Sequence, residues 1–552
     1  EDDLARLLEW LPPECVDALI LLADGRGLAE VLAELEKDAG VEVDPDDVDS
    51  ALDRIDSQAE FVVITDDEAM EAMLSAPMEQ WRVFLHPSQR RLVERHWSGP
   101  VRVLGGAGTS KTVAAMHRAR WLAEQILTGE ETGRSDRVLF TTFTRNLATD
   151  IRSNLAKICT PQQLQRLEVT HLDAWVSGYL RSQGLRIRQF DREARSAAWS
   201  VAWLVADPTL GLDQRFYEEE WKEVVLPQGC TTLDAYLAAK RVGRGTRLNR
   251  QKRVLIWPVF DALRSELRQR GLWEPEEAKQ AAADRLMASG QPARYRAVIV
   301  DEAQDLDAAG FRLIRALAGP EHTDDLFIIG DSHQRIYGRS LVLSQCGVNV
   351  RGRSRKLRIN YRTTEETRAW ASAVLAGLPF DDLDGGSDGC SDTRSLLHGE
   401  PPLIRQFSDQ AEEQRFLIEL VRSFQENGQS LSSTCVTATN SEAVKTLAER
   451  FEVAGIATRV ITAEEADDPS ENALRLATMH RVKGLEFDHI LIPGLSDGVL
   501  PNRQVLNDCP YRISRDAFEQ RKRSLLHVAA TRARKRVVIT CSGEPSSYLP
   551  LR

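Results

Sequence analysis

The chain has 552 residues, too many for a single hydrophobic core, so several domains are expected. Its 42% hydrophobic and 28% charged content is that of an ordinary globular protein, and no run of 18 apolar residues offers a membrane span. The net charge of −12 argues against a nucleic-acid binder until it is divided: residues 1–80 hold 24 acidic against 4 basic side chains, which leaves the remaining body at +8.

Residues 1–80 read as helices around LARLLEWL and LAEVLAELEKD, an acidic turn-rich stretch, DPDDVDSALDRID, and a strand, FVVIT. The opening EDDLARLLEW lacks the basic and apolar regions of a signal peptide. Eight cysteines (15, 159, 230, 346, 390, 435, 509 and 541) include no C-x-x-C pair. That spacing argues against a zinc knuckle, an iron–sulfur cluster or a disulfide framework, and it suits a reducing cytoplasm.

From Trp81 onward, short β-branched runs alternate with amphipathic stretches. They are VRVL (101–104), RVLFTTF (137–143), AVIV (297–300) and LFIIG (326–330), then TCVTA (434–438), HILIPG (489–494) and RVVIT (536–540). Continuous apolar strands interleaved with helices predict an α/β protein with parallel sheets covered on both faces. Between about 171 and 295 the alternation lapses into helical, charged sequence, which reads as an insertion. DDLDGGSDGCSD (381–392) reads as a linker or mobile loop.

VRVLGGAGTSKT (101–112) is a strand running into a glycine-rich loop and then a helix. Backbone N–H groups from Gly105, Gly106, Ala107, Gly108, Thr109 and Ser110 in such a loop point at the phosphates of ATP. Lys111 is expected to reach the β- and γ-phosphates, and the Thr112 hydroxyl to ligate Mg²⁺. The usual pattern has glycine where this chain has Ser110. Glycine takes a positive φ freely, whereas serine pays on the order of 1 kcal/mol for it.

Further on, YRAVIVDEAQD (295–305) ends an apolar strand in Asp301 and Glu302 at the carboxyl edge of the sheet. Asp301 is expected in the Mg²⁺ shell, and Glu302 to orient and deprotonate the attacking water. Two basic runs, KRVGRGTRLNRQKR (240–253) and RGRSRKLR (351–358), are candidate phosphate contacts.

These motifs, with the segments quoted next, resemble the UvrD/Rep-like branch of superfamily 1 helicases from about Phe84 to Thr540. FLHPSQRRLV (84–93) is similar to the adenine-reading segment and implies Gln89 on the base. LFTTFTRNLATDI (139–151) and VTHLDAW (169–175) resemble the lining of the DNA track, through Phe143, Arg145, Thr170 and His171. Trp175, by contrast, reads as packing. IIGDSHQRIYGR (328–339) is similar to the sensor segment, with Gln334 on the γ-phosphate and Tyr337 facing nucleic acid.

LRINYRTT (357–364) implies Tyr361 stacked on adenine and Arg362 on the γ-phosphate. ATMHRVKGLEFDHILIPG (477–494) implies His480 and Lys483 near the track and Glu486 near ribose or metal. LLHVAATRARKR (525–536) supplies Arg532, matching a second arginine finger.

The resemblance implies two RecA-like lobes that close on ATP and Mg²⁺ and step along single-stranded nucleic acid, 3′→5′ on DNA. The expected organisation is an acidic N-terminal region (1–80) and a first lobe (81–170 and 291–345) interrupted by a helical insertion (171–290). A second lobe (346–552) follows, with a short insertion near 377–400. Departures are Ser110, the absence of an aromatic in Gly338-Arg339-Ser340, and only about 115 residues between Arg362 and Thr478. They favour translocation over robust unwinding. An alternative from another class is an ATP-binding switch subunit of a repair or defence system, with weak hydrolysis. The acidic front end reads first as a small helical adaptor, and otherwise as a cover over the basic track or a partner-binding module.

Overall fold

The computed structural model describes residue 85 and residues 87–550, apart from 130–134, 189–190, 242–245, 291–292, 338–340, 390–392, 463–466, 469, 504 and 506–511. The acidic region 1–80 and the departure at 338–340 therefore lie outside the described residues.

The β-branched runs form strands wherever both of their faces can be covered. In the first half these are β1 (Val101–Gly105), β2 (Val138–Thr142), β3 (Leu167–His171), β4 (Ala297–Val300), β5 (Leu326–Gly330) and β6 (Ser354–Leu357). They build one parallel sheet in the order β3-β2-β4-β5-β1-β6. β1, β2, β4 and β5 are buried at every position, as a sheet with helices on both faces requires. A two-stranded parallel pair follows, β7 (Ile359–Thr364) with β8 (Arg394–Leu397).

The second half contributes β9 (Leu403–Phe407), β10 (Thr434–Ala438), β11 (Thr458–Val460), β12 (Leu474–Thr478), β13 (Phe487–Ile492) and β14 (Ala533–Ser542). Their parallel order is β11-β12-β10-β13-β14-β9. The protein is thus α/β with two parallel-sheet lobes. The first sheet reaches past the boundary expected at 346, because β6 pairs with β1; Arg358 alone separates β6 from β7.

Helices between 172 and 288 divide into two groups. Leu172–Ser182 and Pro275–Ala288 pack on the first sheet, where Leu172, Trp175, Val176, Ala278 and Ala282 join its core. The remainder surrounds a core of its own, built on Trp199, Tyr217, Trp221, Tyr236 and Phe260. Trp175 packs as the sequence suggested, with its indole N–H donating to the Tyr295 hydroxyl at 2.8 Å.

The stretch read as a linker or mobile loop is instead fastened to the first lobe through residue 388. Arg335 grips Asp381 with two nitrogens, at 2.5 and 2.7 Å. Arg102 of β1 pairs with Asp382 at 2.9 Å, and Lys356 of β6 with Asp388 at 2.7 Å. Its Gly/Ser/Asp composition signals irregular backbone correctly, but three aspartates find cations that lie far away in sequence.

Candidate nucleotide and nucleic-acid site

The glycine-rich loop joins the end of β1 to the helix Lys111–Thr128. Ser110 adopts φ 58°, the left-handed conformation that favours glycine, so the departure carries the backbone cost anticipated from sequence. Gly108, at φ 76°, has the second requirement for glycine: a Cβ there would lie 2.1 Å from Asn360 Oδ1. Ala107 is half-buried between Gly106 and Gly108, and Thr109 closes the loop by donating its hydroxyl to the Gly106 carbonyl at 2.9 Å. Gln89 is buried and donates to the Thr109 carbonyl at 3.1 Å, while its buried Oε1 has no hydrogen-bond partner among the described residues.

Lys111 Nζ donates to the carbonyls of Gly105 and Gly106, at 2.6 and 2.7 Å, and lies 3.5 Å from Asp331 Oδ2. The Thr112 hydroxyl donates to Asp301 Oδ2 at 2.8 Å. Both are hard oxygen donors, and together they fit Mg²⁺. Burial and the neighbouring Glu302 charge push the Asp301 carboxyl up to about 6. Burial also acts to raise Glu302, but Lys483, Lys111 and Arg532 outweigh it and hold that carboxyl below its ordinary value. Glu302 itself has φ 54°. Two left-handed non-glycine residues therefore flank the cleft, and strain of this kind persists only where its surroundings over-determine it.

A continuous chain of contacts crosses from the first lobe to the second. Asp331, at the end of β5, accepts from Gln334 Nε2 at 2.6 Å, and Gln334 Oε1 accepts from Arg532 at 2.7 Å. Although burial opposes it, the Lys111 charge and a His333 hydrogen bond hold Asp331 well below the usual carboxylate range. Arg362 pairs with Glu486 at 2.8 Å, and the Tyr361 backbone N–H donates to the Gly108 carbonyl at 3.0 Å. Gln304 ties the two strand ends together, donating to Glu302 at 2.5 Å and accepting from the Asp331 N–H at 2.9 Å.

Lys483 is buried, paired with Asp305 and 3.3 Å from Glu302, and it donates to the Gln334 carbonyl, three residues before Tyr337. Buried Asp305 and half-buried Glu302 hold its ammonium there.

The aromatic candidates do meet. Phe143 and Tyr337 stack at 5.1 Å between centroids, 23° from parallel, and His480 lies 5.9 Å beyond Tyr337. Tyr337 is 43% exposed. Burial, with Lys522 and Arg481 nearby, brings His480 down to about 4, so the ring is neutral at physiological pH. Thr170 and His171 end β3 beside Thr141 and Thr142 of β2, and Arg145 is exposed in the first turn of the helix Arg145–Ile158.

The basic runs are less available than their composition suggests. Arg241 pairs with buried Glu220, and Arg253 donates to the carbonyls of Tyr236, Leu237 and Ala239. Arg353 and Lys356 pair with Glu321 and Asp388, and Arg355 lies over Trp97. Lys240, Arg247, Arg250 and Lys252 remain on the surface.

Residues 89–340 match the family described as an AAA domain, and residues 461–544 match the UvrD-like helicase C-terminal domain. The chain is 24% identical over 551 residues to ATP-dependent DNA helicase UvrD2 of Mycobacterium tuberculosis, covering 80% of this chain and 76% of that protein. A 70-residue segment is 39% identical to ATP-dependent DNA helicase Rep of Buchnera aphidicola, covering 13% and 9% of the two chains. This chain belongs to the UvrD/Rep-like superfamily 1 helicases.

Within this UvrD/Rep-like chain, sequence reasoning missed Asp331, Gln304, Asp305 and Asn360. Asp331 carried a readable signal, since GDSHQ follows an apolar strand just as DEAQD does. Asn360 carried none. Its role is the buried junction where its Oδ1 accepts from the N–H groups of Arg362 and Thr363 against Gly108.

Proposed function

We propose that this protein is an ATPase stimulated by single-stranded DNA, which converts closure of its two lobes into 3′→5′ translocation. The observation that carries this reading is the unbroken path Lys111–Asp331–Gln334–Arg532. It joins the glycine-rich loop to the second lobe, three residues before the Tyr337 aromatic contact. A nucleotide that draws Lys111 and Arg532 towards one phosphate thereby acts on a segment whose other end faces a base.

In this reading the loop N–H groups and Lys111 hold the phosphates, Gln89 and Tyr361 hold the base, and Glu302 orients water and takes its proton. Arg362 and Arg532 stabilise the phosphoryl charge from the second lobe, an effect worth roughly 10³–10⁵ in rate in related enzymes. Thr112 and Asp301 would hold Mg²⁺, which supplies neutralisation of phosphate charge. Phe143, Tyr337 and His480 offer stacking surfaces that accept any base, with Arg145, Thr170 and His171 alongside. What supports DNA as substrate is the likeness to relatives named as DNA helicases.

The test is ATP turnover with and without a single-stranded oligonucleotide, in wild type and Glu302→Gln. Stimulation abolished by the substitution supports the reading; a slow rate indifferent to the strand supports the switch-subunit alternative, which the left-handed Ser110 favours. Strand displacement on 3′-tailed and 5′-tailed duplexes tests the polarity.

A further inference from the structure

The segment Ser332–Tyr337 leaves the first sheet after Asp331, and its side chains are committed in opposite directions. Gln334 is held by Arg532, Ile336 is buried in the second lobe's core, and Tyr337 stacks on Phe143. Arg335 turns instead to the 381–388 strap, where Asp381 accepts two of its N–H groups.

The strap meets this segment at further points. Asp388 accepts from the Ser332 hydroxyl at 3.1 Å and lies 3.8 Å from His333 Nδ1. Leu383 is buried with φ 69°, and a Cβ on Gly330 would come within 2.8 Å of its Cδ1. A left-handed leucine is a strained residue that only firm surroundings maintain. The Asp381 carboxylate also accepts from the Leu383 N–H at 2.9 Å, so one side chain secures both the strained turn and Arg335.

We propose that the strap is a positioning element for the motor, acting through the Arg335–Asp381 pair. It sets the register of Ser332–Tyr337 so that Gln334 in the cleft and Tyr337 on the strand face respond together. Breaking the pair loosens that register while leaving Lys111, Asp301, Glu302 and Arg532 in place, so strand stimulation suffers before basal hydrolysis does. The inference rests on the proposed strand-stimulated ATPase activity.

The experiment uses the full chain, a thymidine homopolymer, and the variants Asp381→Asn and Arg335→Lys. ATP turnover is measured with and without the homopolymer, and amide exchange is followed across 332–337. For Asp381→Asn the expected result is a basal rate within about twofold of wild type and a half-stimulating homopolymer concentration raised about fivefold or more. Exchange across 332–337 quickens, and Arg335→Lys, which keeps the charge but loses the fork, falls between. Equal loss of basal and stimulated rates overturns the proposal in favour of general packing, as does unchanged stimulation. A wild-type rate indifferent to the homopolymer defeats the strand-stimulation reading separately. Exchange then decides the strap: quickened exchange supports it, and unchanged exchange overturns it.

Discussion

Lys483 Nζ of the second lobe stands 3.3 Å from Glu302 Oε2 of the first, and the same ammonium pairs with Asp305. Burial acts against this charge, but the two carboxylates raise the lysine above its ordinary range. Lys483→Met therefore leaves the buried Asp305 and half-buried Glu302 carboxylates without their cation. Breaking such a pair costs roughly 3–5 kcal/mol, so a loss near the lower end is expected in urea unfolding, together with a lower ATP turnover. A variant with wild-type midpoint and rate would show that the pair contributes nothing.

Gly108 lies where the glycine-rich loop meets β7. Alanine there pays roughly 1–2 kcal/mol for its left-handed backbone and also collides with Asn360. Gly108→Ala is expected to weaken nucleotide binding at least about tenfold, read with a fluorescent ATP analogue. Adding Asn360→Gly removes the collision but not the backbone cost, so it should restore part of the affinity. No recovery would assign the whole effect to backbone strain.

Tyr337 and Phe143 present a stacked pair to the proposed strand. Base stacking contributes about 1–3 kcal/mol per base, so Tyr337→Ala should weaken oligonucleotide binding by roughly tenfold or more, while Tyr337→Phe retains it. Since stacking releases few counterions, the slope of log affinity against log salt should stay the same. A changed slope would mean that Tyr337 acts by organising phosphate contacts.

His527 is buried in the second lobe, with its Nδ1 2.9 Å from the Ala371 carbonyl. Burial lowers it to about 4, against a partial upward pull from that carbonyl and Asp331; His333 and Arg532 add to the lowering. The folded protein thus keeps the ring neutral while the unfolded chain protonates it near 6.5. Stability is fully present above pH 6.5 and is lost as pH falls towards about 4, on the order of 3 kcal/mol over the window. His527→Gln should flatten that part of the stability–pH curve, measured by urea unfolding from pH 7 to 4.

The strands and their chain order were legible because buried parallel strands are written as uninterrupted β-branched runs, as in AVIV and LFIIG. One distant pairing was readable as well: Asp301 after β4 and Thr112 in the first turn of the helix Lys111–Thr128 come together at 2.8 Å although 189 residues separate them. Side-chain direction was not readable. That the Lys483 ammonium turns to Asp305 and Glu302 is invisible in HRVKGLEF. Arg241 and Arg253 looked like phosphate contacts, but a long arginine can turn inward to a buried carboxylate or to helix-end carbonyls. The 381–388 strap was obscured because its partners, Arg102, Arg335 and Lys356, are known only once the sheet is assembled.

Ile336 comes from a first-lobe segment yet is buried with Ile461, Met479 and Leu525 in the second lobe's core. The other cross-lobe contacts named above are ionic, hydrogen-bonded or aromatic. Drawing the lobes apart by removing Ile336 from its socket would wet apolar surface, and that process carries a positive heat-capacity change which the ionic contacts do not. Cooling therefore weakens the apolar plug, whereas added salt screens the buried ionic contacts little. A motor latched in both ways should open most readily when it is cold, and added salt should change that little.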